Sequence, residues 1–205
     1  MATSEVGSVR RRRAGGARRA QVLNHVVEVL SERGFAATRF ADVSQASGVA
    51  VSTLQGYFGS REDMLIEALQ GSTSSEVAAL AELAAGVEDP WQRLVALVDR
   101  GLSTPVGTWR MLMEFWTAAA HDAELRAHAA GLAERYRRPF TDAVQRGVDS
   151  GAFSPRFDAA AVVDVAVATM DGSLYPLVLD HRASAERDYR DVVLAQLAFV
   201  LGVDA

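Results

Sequence analysis

The chain has 205 residues, is 49% hydrophobic, and carries 21 basic against 26 acidic side chains, for a net charge of −5. It contains no cysteine, which excludes disulfides, thiolate zinc sites and cysteine nucleophiles together, and suits a reducing cytoplasm. The charge is unevenly placed: residues 1–65 hold 9 arginines against 6 acids, whereas residues 66–205 hold 12 against 20, so a basic head precedes an acidic body.

Residues 1–16 are arginine-rich and aperiodic, with no apolar stretch behind them. They read as a disordered basic arm rather than a signal peptide. Leu23, Val26, Val27 and Leu30 then fall on one helical face, which Gly34 ends. Thr38 is expected to cap a helix reaching Ser47, with Phe40 and Val43 inward. Gly48 permits a left-handed turn, and residues 51–58 form a short helix with Leu54 and Phe58 inward. Ser60 to Asp63 has the form of a capping box and opens a long helix to about Ala85, with a bend expected near Gly71.

Residues 86–90 are a turn. Leu94, Leu97, Val98 and Leu102 mark the next face. Thr104 and Pro105 have the cap-then-proline order that starts a helix to about His121. Leu125, Leu132, Tyr136, Phe140 and Val144 trace a long helix ending near Gly151. Asp158 caps an apolar helix to about Asp180. Because Asp164 and Asp171 interrupt it, this helix reads as buried rather than membrane-spanning. A last helix covers about 185–201. The pattern is all-α, with nine helices and no strand.

The most informative stretch is 38–61: a helix, a glycine turn and a second short helix. In such a unit the second helix enters the major groove of DNA. With Leu54 and Phe58 as anchors, Val51, Ser52, Thr53, Gln55, Gly56 and Tyr57 are left facing outward. Glutamine reads adenine edges, serine and threonine touch bases or phosphates, and valine meets a thymine methyl. Spacing alone fits an ordinary helical hairpin with a polar rim equally well.

Residues 17–69 resemble the N-terminal domain of the TetR family of bacterial transcriptional regulators. The matching positions are Gly34-Phe35, Thr38, Val43, Ser47-Gly48-Val49, Thr53-Leu54, Tyr57-Phe58 and Ser60-Arg61-Glu62 through Leu65. The resemblance implies a three-helix helix-turn-helix domain at 17–65 and a ligand-binding and dimerising body at 66–205, paired with a second copy through its last two long helices. It implies DNA contacts from Arg39, Val51, Ser52, Thr53, Gln55, Tyr57 and Arg61, with Arg39 and Arg61 on phosphates. Gln55 stands where the family often has tyrosine, and Gly56 where it has a larger residue.

Arg10 to Arg13, with Arg18 and Arg19, read either as an arm following DNA phosphates or as a solubilising tail. Trp109, Leu112, Met113, Trp116, Tyr136, Phe140, Met170 and Leu174 suit an adaptable apolar pocket, or plain core packing, with Asp171 and Ser173 as polar handles. His121, Glu124 and His128 share a helical face but lack a further ligand, so no metal is expected. No nucleophile set, phosphate loop or dinucleotide fingerprint is present, so neither catalysis nor a cofactor is expected. The expectation is a cytoplasmic homodimeric repressor, bound to a palindromic double-stranded operator and released by a small lipophilic effector. The alternative is a DNA-binding co-regulator or architectural protein without an effector.

Overall fold

The computed structural model describes residues 3–180 and 189–203, with side chains from residue 16 onward. The described residues form nine helices: α1 (Thr3–Arg33), α2 (Phe40–Ser47), α3 (Val51–Phe58), α4 (Arg61–Ala85), α5 (Pro90–Leu102), α6 (Val106–His121), α7 (Ala123–Asp149), α8 (Ala159–Val178) and α9 (Arg190–Leu201). The expected start of the last helix near 185 lies outside the described residues. Two compact units result, Met1–Ser72 and Thr73–Ala205. Their boundary falls inside α4, beyond the residue 65 that the sequence suggests, because α4 continues through Gly71 without interruption.

In the first unit α1 runs through the segment read as an arm. That segment holds the run Arg10 to Arg13, arginine being a good helix former, and no proline, which lets the helix continue despite its glycines. The buried stripe of α1 is Val22, Val26, Val29 and Leu30, whereas Leu23 and Val27 are half-buried. The predicted stripe shares Val26 and Leu30 with it but lies one flank over. A period of 3.6 residues does not choose between flanks; the packing of α2 does.

Thr38 does not cap α2. Its side chain is fully buried and its hydroxyl donates to the Gly34 carbonyl at 2.8 Å. Arg39 takes the cap position, and its backbone N–H donates to the Asp42 carboxylate at 2.8 Å. Gly48 closes α2 at φ 67°, a left-handed conformation that glycine adopts without strain. Leu54 and Phe58 of α3 point inward, as their spacing predicts. At α4 the capping box forms by half. The Ser60 hydroxyl accepts the Asp63 N–H at 3.0 Å, but the Asp63 carboxylate takes the hydroxyl proton at 2.6 Å rather than the Ser60 N–H. The Ser60 N–H is taken instead by the Phe58 carbonyl at 3.1 Å.

In the second unit, Asp89, Asp122 and Asp158 each accept first-turn N–H groups at the starts of α5, α7 and α8. Pro105 occupies the cap position of α6 rather than its first turn, and Thr104 instead donates to the Gly101 carbonyl at 2.7 Å, closing α5. Leu80 of α4, Leu94 and Leu97 of α5, Phe140 and Val144 of α7, Val163 and Met170 of α8 and Leu197 of α9 belong to one buried cluster. Phe153, between α7 and α8, lies flat against Gly147, where a Cβ would sit 2.0 Å from its ring. Two forked ion pairs tie helices outside the core: Arg100 to Glu76 at 2.7 and 2.6 Å, and Arg190 to Asp99 at 2.5 and 3.1 Å.

Candidate nucleic-acid interface and effector body

With Leu54 fully buried and Phe58 nearly so, helix α3 can turn only one face outward. Ser52, Thr53, Gln55 and Gly56 are exposed on it, and Val51 and Tyr57 are half-buried at its margins. A Cβ at Gly56 would meet nothing within 4 Å, so no steric demand places glycine there. The outward face is small, polar and uncharged, the composition of a surface that reads base edges by hydrogen bonds.

The arginines nearby divide by their partners. Arg39 is exposed and rests on the Ala36 and Thr38 carbonyls at 2.5 and 3.1 Å. Arg61 is turned inward. Its guanidinium donates to the Thr38 carbonyl at 2.6 Å, to those of Phe35 and Ala36, and lies 5.4 Å over the Phe35 ring. Arg61 thus fastens the start of α4 to the α1–α2 turn. Arg19, read from the sequence with the arm, pairs with Glu67 at 2.5 Å and covers the Phe58 ring at 5.2 Å. It packs the unit rather than extending from it. Arg18 is exposed, and the side chains of Arg10 to Arg13 lie outside the described set.

The eight candidate effector residues separate in the same way. Phe140 and Met170 are buried in the core cluster. Trp109 and Leu174 are also buried, whereas Leu112, Met113, Trp116 and Tyr136 are half-buried. The Trp109 and Trp116 rings meet edge to face at 5.2 Å, and Tyr136 leans on Phe140 at 5.7 Å. The Trp109 indole N–H is buried without a hydrogen-bond partner. A Cβ on Gly101 would lie 3.1 Å from the Tyr136 hydroxyl and 3.2 Å from the Met170 sulfur, so α5 presses closely on both. Open, shallow depressions among the described residues lie along α1 beside Ser47 and Val49 and on α9 at Val192, Ala195 and Phe199.

Burial pushes the Asp171 carboxyl up to about 6, against the lowering effect of Arg137. The Tyr136 hydroxyl is likewise raised, first by burial and then by the Asp171 and Glu76 charges. Helices α8 and α9, with Leu179 just past the end of α8, also leave apolar side chains in solvent: Val165 at 66%, Leu179 at 61%, Val192 at 54% and Phe199 at 65% exposure. By length and composition α8 is apolar enough to cross a membrane, yet its Val163, Val167 and Met170 belong to the core cluster. Sequence reasoning did not find the Glu76–Arg100 and Asp99–Arg190 pairs. Partners so far apart in the chain leave no periodic signal.

Comparison with known proteins bears on both units. The family described as "Bacterial regulatory proteins, tetR family" matches residues 23–68, and "BetI-type transcriptional repressor, C-terminal" matches residues 90–202. The HTH-type transcriptional regulator BetI of Burkholderia ambifaria is 28% identical over 196 residues, covering 87% of this chain and 94% of the relative. The fold is shared with FadR of Bacillus subtilis, solved with stearoyl-CoA, at a TM-score of 0.72, 18% identity and coverage of 89% and 97% of the two chains. It is shared equally with a putative transcriptional regulator from Saccharomonospora viridis, solved with choline, at a TM-score of 0.73, 21% identity and coverage of 91% and 96%.

Proposed function

The chain belongs to the TetR family of bacterial transcriptional regulators and is not an enzyme, and from that premise we infer that it is a cytoplasmic homodimeric repressor with a small-molecule effector. The observation that carries the reading is the outward face of α3, polar along Ser52, Thr53 and Gln55 and anchored beneath by Leu54 and Phe58. Two copies would present two such helices to half-sites about one helical turn, or ~34 Å, apart on a palindromic operator. Val51, Ser52 and Gln55 read bases, and Thr53, Tyr57 and Arg39 hold phosphates. Arg61 acts by holding the turn between α1 and α2. The arginines of residues 10–13 follow the backbone of the flanking DNA.

The second copy is expected on α8 and α9. Val165, Leu179, Val192 and Phe199 form an exposed apolar surface that a like surface would cover. The effector site belongs to the body, around Trp109, Leu112, Met113, Trp116, Tyr136 and Leu174, with Phe140 and Met170 as its floor. Release of DNA follows if the effector binds the DNA-incompetent state more tightly; a 100-fold operator weakening needs only about 2.7 kcal/mol of such coupling. A second reading, a DNA-binding co-regulator with no effector, is favoured by the burial of Phe140 and Met170 in the core cluster.

Fluorescence anisotropy on an operator selected from random DNA tests the reading. Thr53→Ala and Gln55→Ala are each expected to weaken binding by about 10-fold, and Gln55→Ala to relax base preference at one position of each half-site. Selective DNA binding that survives the double variant would refute it.

A further inference from the structure

Glycine is an unfavourable residue inside a helix, because it gives up the most backbone freedom on ordering. Gly56 nevertheless sits within α3, a helix of only 8 residues with little cooperative length to absorb the cost. Neither its backbone nor its surroundings require it. Gly34, Gly48 and Gly59 of the same unit adopt positive φ, and Gly56 does not. A Cβ at Gly56 would meet nothing within 4 Å, and the position is exposed. Gly71, Gly131 and Gly172 have equally open surroundings, but they lie in α4, α7 and α8, of 25, 27 and 20 residues, where one glycine weighs less.

Gly56 differs from these in its direction. At about 100° per residue, the positions two before and two after a helical residue each lie about 160° from it, on the opposite side of the helix. For Gly56 those positions are Leu54 and Phe58, the two buried anchors. Gly56 is therefore the crest of the outward face. Ser52 and Thr53 flank it one turn back, and Gln55 and Tyr57 stand on its shoulders. A helix with its side chains is about 10–12 Å across and the major groove is about 12 Å wide, so a side chain on the crest decides how far the helix can enter. Serine is short, and its hydroxyl reaches a base edge only when the backbone comes close. A bare crest with a serine one turn away meets both needs of a deep approach.

We propose that Gly56 sets the depth at which α3 enters the major groove, and that Ser52 reads its base only at that depth. This rests on the DNA-binding reading above and goes beyond it by making an absent side chain a determinant of selectivity. The bare Cα faces the base edges, and the flanking side chains reach past it.

The test uses the full chain, thermal melts, and fluorescence anisotropy on an operator selected from random DNA with the unaltered protein. Gly56→Ala should raise Tm by about 2–4 °C yet weaken operator binding by about 3-fold, and Gly56→Leu should melt no lower than the unaltered protein yet bind about 10-fold or more weakly. Alanine and leucine have close helix propensities, so a glycine kept for flexibility would make the two losses equal; equal losses overturn the proposal. Gly56→Lys should also bind about 10-fold or more weakly, despite its added charge. Tighter binding by Gly56→Lys, with a salt slope steeper by about 0.9 per chain, overturns the proposal too. Ser52→Ala should cost about 10-fold alone and less than about 2-fold in the Gly56→Leu background, where the serine is already lifted off its base; additive losses count against it. The Thr53→Ala and Gln55→Ala double variant separates this inference from the parent reading. Selectivity lost in that double variant but kept in every Gly56 variant sinks the inference and leaves the DNA-binding reading standing. An unaltered protein that selects no operator sinks both.

Discussion

Replacing Arg61 by methionine separates two roles that the same residue can play in a DNA-binding unit. In the structure its guanidinium reaches the carbonyls of Phe35, Ala36 and Thr38 and lies over the Phe35 ring. Methionine keeps most of the stem and removes every donor. Hydrogen bonds from a charged donor contribute about 1.5–3 kcal/mol each where buried; here the side chain is 19% exposed and the freed carbonyls can regain water, so about 1 kcal/mol per carbonyl is the fair figure. The expected loss is about 2–3 kcal/mol, or roughly 5–10 °C in Tm for a chain of this length. Arg61→Lys keeps the charge but not the fork, and should lose about half as much. The second measurement is the dependence of operator affinity on salt. An arginine spent on carbonyls releases no counterion, so the slope of log affinity against log salt should not change in either variant. A phosphate contact would flatten it by about 0.9 per chain in Arg61→Met. A methionine variant that melts like the unaltered protein but has a flatter slope would refute the inward assignment.

Two further outcomes follow from packing. Gly147→Ala places a Cβ 2.0 Å from the Phe153 ring, and should cost about 3 kcal/mol or more or abolish soluble expression; a melt within a degree or so of the unaltered protein would show that Phe153 is free to move. Phe199→Glu and Val165→Glu, each on an exposed apolar side chain of α9 or α8, should shift sedimentation from dimer to monomer while leaving the far-ultraviolet circular dichroism helical. Dimers persisting in the double variant would place the subunit contact elsewhere.

The sequence was most legible where one residue carries one geometric demand. Gly48 and Gly202 end helices at positive φ, and Asp158 caps α8, as their residue types require. Leu54 and Phe58 assigned the inner face of α3, and with it the outward surface. It was least legible where partners are distant or where a side chain has two uses. Thr38 looks like a cap, but a buried hydroxyl beside Gly34 finds its acceptor one turn back. Arg19 and Arg61 look like phosphate ligands because charge is local in sequence, while Glu67 and the Phe35 carbonyl are not. The effector residues were the hardest to divide. Phe140 and Met170 have the same apolar character whether they fill a core or line a site, and only the packing of α5 and α8 around them separates these.

Asp99, Arg100 and Gly101 are consecutive, and on a helix of 3.6 residues per turn consecutive side chains diverge by about 100°. They therefore face three directions: the Asp99 side chain reaches α9, that of Arg100 reaches α4, and Gly101 turns its bare Cα toward the Tyr136 hydroxyl of α7, where a Cβ would crowd it. The last turn of α5 is a three-way joint with no spare position. Drift elsewhere on the solvent face of this body can be absorbed one residue at a time, but a change at any of these three disturbs the seating of a different helix. Efforts to retune the protein toward another ligand are better directed at α6 and α8, leaving this turn as it stands.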